Sequence, residues 1–420
     1  MKIILLLILA ACEFSNSFSQ QLNKSLYRED LDYFFKTIDL NYAYWDKKKT
    51  DWKKAKEFYI ARADTITTKG SFIQLLENVL YELYDHHASL SSNTMESQRL
   101  VPSGTDLWAE YVNNKAVIIE VKNGSGAEKA GIITGMEILM FNDIPVEKAI
   151  RPLLPNYIGN PDIEAKNYAL RVLLAGTHSG KRKLTLIKNG KKENYYPDLP
   201  VNLLEGQNYA SDIESKILNA NIGYIRINNR LGDNELIRHF DSVLSSLYNT
   251  AALILDLRET PSGGNTTVAR AILGRFITKE GYYQKHELTI EEKETGIKRS
   301  WVEIVSPRKP AYTKPLVILV DHWTGSVAEG IVIGFDALKR ATVIGTKMAG
   351  LNGAVYSFTM PNTGIGFSIP AEKLYHVNGT PRENFKPLIE VDMRYQNNGE
   401  DRILDQGQRY LKQLLKTGHR

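Results

Sequence analysis

Cysteine is all but absent from this chain of 420 residues, which holds one, Cys12. Because that residue lies in a leader-like segment, disulfides, thiol catalysis and a cysteine-based zinc site are excluded for the folded part. The 8 histidines include no pair at the helical spacing His-x-x-x-His, and no metal site is expected. The apolar run near the start is too short to span a bilayer as a mature helix. Neither a Gly-x-x-x-x-Gly-Lys-Ser/Thr phosphate loop nor a dinucleotide fingerprint is present, and no cofactor is expected. A dominant charge sign is lacking too, since 53 Lys and Arg stand against 48 Asp and Glu for a net charge of +5. That balance is too mild for a nucleic-acid footprint, and Lys47–Lys49 and Lys191–Lys192 read as solvated faces. What is present is ordinary globular composition, 43% hydrophobic and 24% charged, at a length that suggests two or three domains.

Residues 1–20 read as a targeting segment: Lys2, an apolar run over Ile3–Ala11, then Cys12 and the small polar stretch Ser15–Ser19. Two processing readings stay open. Leu9-Ala-Ala-Cys12 has the form of a lipoprotein box, which would leave a lipid anchor on Cys12. Ser17-Phe-Ser19 before Gln20 has the form of a signal-peptidase site, which the short apolar run and Glu13 favour. Either one implies export, to the periplasm or the cell envelope.

From 21 to 100 the pattern is helical. Leu26, Leu31, Phe34, Phe35 and Ile38 recur at helical spacing, as do Phe72, Leu75, Leu76, Val79, Leu80 and Leu83, with Ser71 and Gln74 as a capping box. That second helix runs out at Asp85-His86-His87, whose plainest reading is a solvated cap at a helix C-terminus. Residues 101–200 change character, with short strands such as Ala116–Val121 and Leu184–Ile187 and an Asn189-Gly190 hairpin turn. From 210 to 400 strands and helices alternate: Ile222–Ile227, a helix over 233–248, Ala252–Arg258, a helix over 267–276, and later strands at Ala341–Gly345, Ala354–Thr359 and Gly364–Ile369. The alternation predicts an α/β layer with a mostly parallel sheet, the last strands forming its far edge. The remainder, 401–420, carries an amphipathic helix through Ile403, Leu404, Tyr410, Leu411 and Leu414 that should pack back on the core.

The stretch Leu316–Gly330 organises the rest. A buried-strand run closes on Asp321, Thr324-Gly325 make a turn, and helical spacing begins at Ala328, which puts Ser326 at the corner. A serine there stands at a helix N-terminus, whose unpaired N–H groups can hold an oxyanion. The competing reading is a plain N-cap, with Glu329 completing a capping box. Gly263 and Gly264, in the turn after Asp256-Leu-Arg258, could bring further backbone N–H groups to a reacting carbonyl.

Several motifs follow one another in a telling order. A helical start ends in Leu83-x-Asp85-x-His87, and a run through Ala127, Ala130, Gly131, Gly135, Ile138, Leu139, Asn142 and Val146 comes next. Then come Ile222-Gly-Tyr-Ile225, Asp256-Leu-Arg258 with its glycine loop, Val320-Asp-x-x-Thr-x-Ser326-x-x-Glu329, and Glu383 ahead of Pro387. The ordered set resembles the tail-specific (C-terminal processing) and tricorn-type serine peptidases, a family with a PDZ domain. The resemblance implies an α/β fold with a ClpP/crotonase-like core over 210–400, a PDZ-like β domain over 101–200 and a helical N-terminal domain over 21–100. It also implies a polypeptide substrate, whose C-terminal end the PDZ-like domain could bind by strand addition. Met136 and Asp143 depart from the PDZ pattern, and a β domain without a ligand is the alternative there.

The family activates its serine in two ways. In one branch a lysine follows the serine by twenty-five residues; here that position is Leu351, and the nearest lysine, Lys347, comes four residues early. The tricorn-type branch uses a histidine ahead of the core, which falls on His87, and a distal glutamate, which falls on Glu383. His86 stands beside His87 where the family has a small or hydroxylic residue, so either imidazole is a candidate base, and Glu383 could equally be an exposed loop carboxylate. The chemistry implied is acyl transfer to Ser326, with the oxyanion on the N–H of Val327 and one from Gly263 or Gly264. His322 and His376 are the other candidate bases. A non-catalytic protein binding peptides or an apolar ligand on the same scaffold is the alternative that the missing lysine allows.

Overall fold

The computed structural model describes residues 25–198, 211–395 and 399–417; the expected leader with Cys12 lies outside them. The helical region consists of α1 (25–41), α2 (Trp52–Ala63) and α3 (Lys69–Tyr81). The cap of α3 is not the expected Ser71–Gln74 pair. Thr68, in extended backbone one turn earlier, accepts the Ser71 N–H at 3.1 Å, and the Ser71 hydroxyl closes the reciprocal bond. Leu31, Phe34, Phe35 and Ile38 of α1 and Phe72, Leu76, Val79 and Leu80 of α3 form one core with Phe367 and Ile369 from far along the chain. Beyond α3, Asp85–His87 lead into a two-residue strand, β1 (Ser89–Leu90).

The β domain contains β2 (Leu107–Val112), β3 (Lys115–Val121), α4 (Gly126–Lys129), β4 (Glu137–Phe141), β5 (Ile144–Pro145), α5 (Val146–Ala149), α6 (Ile163–Ala175), β6 (Leu184–Lys188) and β7 (Lys191–Tyr195). Its sheet runs β2-β3-β4-β6-β7, with β5 on β4. Asn189 and Gly190 both take positive φ, +51° and +79°, as a tight two-residue hairpin requires. A buried Arg182 joins Asp106 at 2.6 Å and Asp198 at 2.7 Å.

The remaining elements are β8 (Ile213–Leu218), β9 (Ile222–Ile227), α7 (Glu235–Ser246), β10 (Ala252–Asp256), α8 (Thr266–Gly274), β11 (Gly281–Leu288), α9 (Thr289–Thr295), β12 (Arg299–Val305), β13 (Leu316–Val320), α10 (Val327–Ala337), β14 (Thr342–Gly345), β15 (Ala354–Thr359), β16 (Gly366–Tyr375), β17 (Ile389–Glu390) and α11 (Arg402–Thr417). A sheet of order β17-β14-β13-β10-β9-β8 is parallel except for β8. Leu253, Leu255, Ile318 and Val320 face the core shared with α7, α8 and α10, whereas Ala252, Ile254, Val317 and Leu319 face Ile403 and Leu411 of α11. Covered on both faces, these strands read in sequence as unbroken apolar runs.

One expectation needs correcting here. Strands β15 and β16 do not extend the parallel sheet: with β1, β11 and β12 they build a separate antiparallel one, of order β1-β16-β11-β12 with β15 on β16. Strand β16 turns Phe367 and Ile369 onto the helical N-terminal core, a one-sided burial that suits an antiparallel strand. The hairpin-like β11–α9–β12 segment between 281 and 305 also went unread, because its outward residues break the apolar pattern. Pairing of Ser89 with Ser368 and Leu90 with Phe367 ties the segment that carries His87 directly to the core.

Candidate active site

Strand β13 delivers the chain to a turn held by its own side chains: Asp321 N donates to Thr324 Oγ1 at 3.1 Å and Trp323 N to Asp321 Oδ1 at 2.8 Å. The turn ends on Ser326 with φ +55° and ψ −115°, a conformation that costs a non-glycine residue energy and is found where a site over-determines it. Three contacts impose it. Glu329 Oε2 accepts the Ser326 N–H at 2.8 Å. Gly325 N donates to Thr260 O at 3.2 Å, which lays the glycine loop alongside the turn. Gly263, at φ +68°, lies so close that a Cβ there would fall on Ser326 Cβ and 2.7 Å from its Oγ.

Glu329 thus makes its half of the expected capping box, but the serine hydroxyl is used elsewhere. Ser326 Oγ lies 3.1 Å from His87 Nε2. On the other side of the ring, Nδ1 is 2.6 Å from the backbone carbonyl of Asn352. A carbonyl only accepts, so Nδ1 carries the proton and Nε2 turns its lone pair to the serine. Burial, and after it the positive charge of Arg382, push His87 down to about 4, so the ring is neutral across the physiological range. Burial pushes Glu329 up to about 7, against the opposing pull of Arg382 and of the N–H groups of Ser326 and Gly350.

The histidine's mount is equally specific. Asp85 Oδ1 accepts the His87 backbone N–H at 2.9 Å, and Asp85 Oδ2 accepts from Tyr42 at 2.7 Å and from Asn352 Nδ2 at 2.8 Å. Arg382 Nη2 donates to Leu351 O at 3.0 Å and Gly353 O at 2.7 Å, the carbonyls on either side of Asn352. Neither Tyr42, Asn352 nor Arg382 was singled out from the sequence. Asn352 had one available signal, since it directly follows the position where the other branch keeps its lysine.

The other expected residues fall as follows. His86 stacks on Tyr168 at 4.6 Å between ring centres, and burial holds it neutral. His322 is engaged by the Glu120 carboxylate and stacks on Trp108, and His376 Nε2 lies 3.2 Å from Asp336, so neither is the serine's partner. Lys347 is exposed, and Ser326 makes no polar contact with it among the described residues. Glu383 does not reach His87: it pairs with Lys47, because the 3-10 turn at Arg382–Asn384 directs Arg382, not Glu383, at the histidine's loop. The Val327 N–H, first of α10, has no acceptor among the described residues. Gly263 N faces Thr260 O at a long 3.4 Å, and Gly264 is pressed against the backbone of Leu231 and Gly232. A cavity of about 450 Å³ opens beside the mount, between Asp85, His86, Asn352 and Arg382 on one side and Trp108 and Arg171 of the β domain on the other.

A strained serine between a β-strand and a helix, with an imidazole at its hydroxyl and a free N–H behind it, defines a serine hydrolase site. Residues 221–393 match the model of peptidase family S41 and residues 25–81 that of the tricorn protease C1 domain. The segment that carries Ser326 is thus similar to the serine peptidases of family S41, and the helical N-terminal segment to the tricorn protease. Among solved structures, mature CPAF in complex with lactacystin is similar over 94% of this chain and 100% of its own, at 17% identity and a TM-score of 0.63. A photosystem II D1 C-terminal processing protease is similar over 90% of this chain and 96% of its own, at 14% identity and a TM-score of 0.53. A putative peptidase from Parabacteroides merdae is similar over 92% and 96%, at 17% identity and 0.54. At these identities the likeness is one of fold.

Proposed function

We propose that the protein is an exported serine endopeptidase that cuts polypeptides through an acyl-enzyme on Ser326, with His87 as its base. The observation that carries this reading is the 3.1 Å contact from His87 Nε2 to Ser326 Oγ, with Nδ1 held by a carbonyl acceptor. As Oγ attacks the scissile carbonyl carbon, its proton passes to Nε2 and the carbonyl π pair moves onto oxygen. The oxyanion is met by the Val327 N–H, with a second donor from Gly263 or Gly264. Collapse expels the amine, which takes the proton from Nε2; water then repeats the attack and the acid leaves. Glu383 contributes through its pairing with Lys47, not on the imidazole itself. The parallel sheet carrying Ser326 is read as a ClpP/crotonase-like core and the β domain as PDZ-like.

In that β domain the free edge of β2 is the natural place for a peptide strand, and it is already engaged. Tyr111 N donates to Asn167 Oδ1 at 2.7 Å and Arg171 Nε to Ala109 O at 3.3 Å, both partners coming from α6. A substrate end that adds there displaces these side chains first.

The test is labelling of the folded protein with a serine-directed fluorophosphonate, located by peptide mass. Ser326→Ala should abolish both labelling and hydrolysis of an unfolded casein without lowering the melting temperature by more than a few degrees. Labelling elsewhere, or casein hydrolysis by Ser326→Ala, removes Ser326 as nucleophile.

A further inference from the structure

The position that a catalytic lysine would fill is the apolar Leu351, and Glu383 is turned to Lys47, so no carboxylate among the described residues touches the His87 ring. What touches it is the main chain of the next residue. We propose that Asn352 is the positioning residue of the site, standing where a triad keeps its carboxylate, and that it works as a clamp through both its backbone and its side chain. This rests on the reading of Ser326 and His87 as nucleophile and base.

The backbone half fixes the tautomer, because only a protonated Nδ1 can approach a carbonyl oxygen at 2.6 Å. The side-chain half fixes where that carbonyl points. Asn352 Nδ2 donates to Asp85 Oδ2, and the opposite oxygen of the same carboxylate takes the His87 backbone N–H. One carboxylate therefore holds the histidine's own turn and the loop that orients its ring. Three further bonds keep the loop from drifting: Arg382 to the carbonyls of Leu351 and Gly353, and Gly350 N to Glu329 Oε1 at 2.9 Å. Since Glu329 also holds the Ser326 N–H, the contacts close a circuit: Ser326, His87, Asn352, Gly350, Glu329 and back to Ser326. Gly353, at φ +48°, has no room for a side chain against Tyr44 and the Glu372 carbonyl, which leaves the loop one path.

The charged groups around the imidazole are Asp85 from its own turn and Arg382 from the 3-10 turn, with Glu329 and Glu383 beyond Arg382. A neutral carbonyl in place of a carboxylate leaves the imidazolium with little stabilisation, so the site is built for a weak base that stays unprotonated in acid.

The experiment is a reciprocal swap. Asn352→Asp sets two carboxylates against each other, and Asp85→Asn sets two amides; either single change should slow fluorophosphonate labelling and kcat by about tenfold or more, with KM little changed, because a shift of about 1 Å at the ring costs on the order of a hundredfold. The double variant Asp85→Asn with Asn352→Asp restores one donor facing one acceptor and should recover most of the loss, a coupling that a merely structural pair, judged by melting temperature alone, would not show in kcat. The proposal is overturned if Asn352→Asp labels at the wild-type rate, or if the double variant is no better than the worse single one. His87→Ala separates the two levels. If it labels like wild type, the base assignment fails; if it is inert while Asn352→Asp is fully active, only the role of Asn352 fails.

Discussion

The pH dependence of Ser326 reactivity distinguishes this site from one built on an ordinary histidine. Burial, then the charge of Arg382, take His87 from 6.5 to about 4. That lowering corresponds to on the order of 3 kcal/mol against the imidazolium. In the proposed mechanism the neutral ring is the base, so a lowered value extends activity toward acid: at pH 5 an ordinary histidine is only about 3% neutral, whereas His87 is about 90% neutral. A second ionisation belongs to Glu329, raised to about 7 by burial. Its two oxygens accept the Ser326 and Gly350 N–H groups, and protonation of one oxygen turns an acceptor into a donor facing a donor. The second-order rate of fluorophosphonate labelling, measured from about pH 3.5 to 8.5 in wild type and Glu329→Gln, should show an acid limb near 4 in both. An inflection near 7 should appear in the wild type alone. Arg382→Gln should lift the acid limb only part of the way back, since burial, the larger cause, remains. A single limb between 6 and 7 that survives Glu329→Gln would refute the reasoning, because the imidazole would then be a solvated one.

Further outcomes follow from particular contacts. Gly263→Ala should abolish labelling and lower stability by more than the about 1–2 kcal/mol that a left-handed non-glycine residue costs, because its Cβ lands on the Ser326 side chain; wild-type labelling kinetics would contradict the close approach. Arg182→Ala strands the buried carboxylates of Asp106 and Asp198 and should cost about 3–5 kcal/mol in urea unfolding of the β domain. Asn167→Ala frees the Tyr111 N–H on the β2 edge and should tighten binding of an apolar peptide with a free C-terminus by about 1 kcal/mol, or about fivefold, read by fluorescence anisotropy. Unchanged affinity would place peptide binding away from that edge.

Much of the architecture was legible because it rests on patterns of side-chain burial. The runs Ala252–Asp256 and Leu316–Val320 could only be strands covered on both faces, and the Ser326 turn announced itself by the abrupt change from strand to helix spacing. The order of motifs pointed to His87, which the fold brings to 3.1 Å from Ser326 Oγ. What escaped was fixed by backbone groups and by long-range choices among similar residues. Only its place after Leu351 marks Asn352 in the sequence, and nothing there shows that its carbonyl meets His87, since every residue has a carbonyl. Nor could the sequence choose between Arg382 and Glu383, neighbours in one 3-10 turn that swaps which of them faces the histidine's loop. The antiparallel sheet of β15 and β16 was misplaced for a related reason: alternation shows that a strand has one buried face, not which layer it meets.

The proposed base, more than two hundred residues from the proposed nucleophile, can be exact to a fraction of an ångström only if something local sets its register. Here that is β1. His87 stands two residues before Ser89, whose partner Ser368 belongs to the same strand that inserts Phe367 and Ile369 into the helical core. A slip of one residue would turn Leu90, which packs against the helical core, to the other face of the sheet. It would also move the imidazole by about 3.3 Å along the strand, more than its separation from Ser326 Oγ. The penalty for the slip is thus hydrophobic and lies in the N-terminal core, whereas the benefit of the correct register is the contact between His87 and Ser326. Asp30 of α1, which accepts the N–H groups of Asn362 and Thr363 at 2.9 and 2.7 Å just ahead of β16, pins the same junction from the helical side. The packing energy of the helical segment is therefore what holds the His87 ring against Ser326.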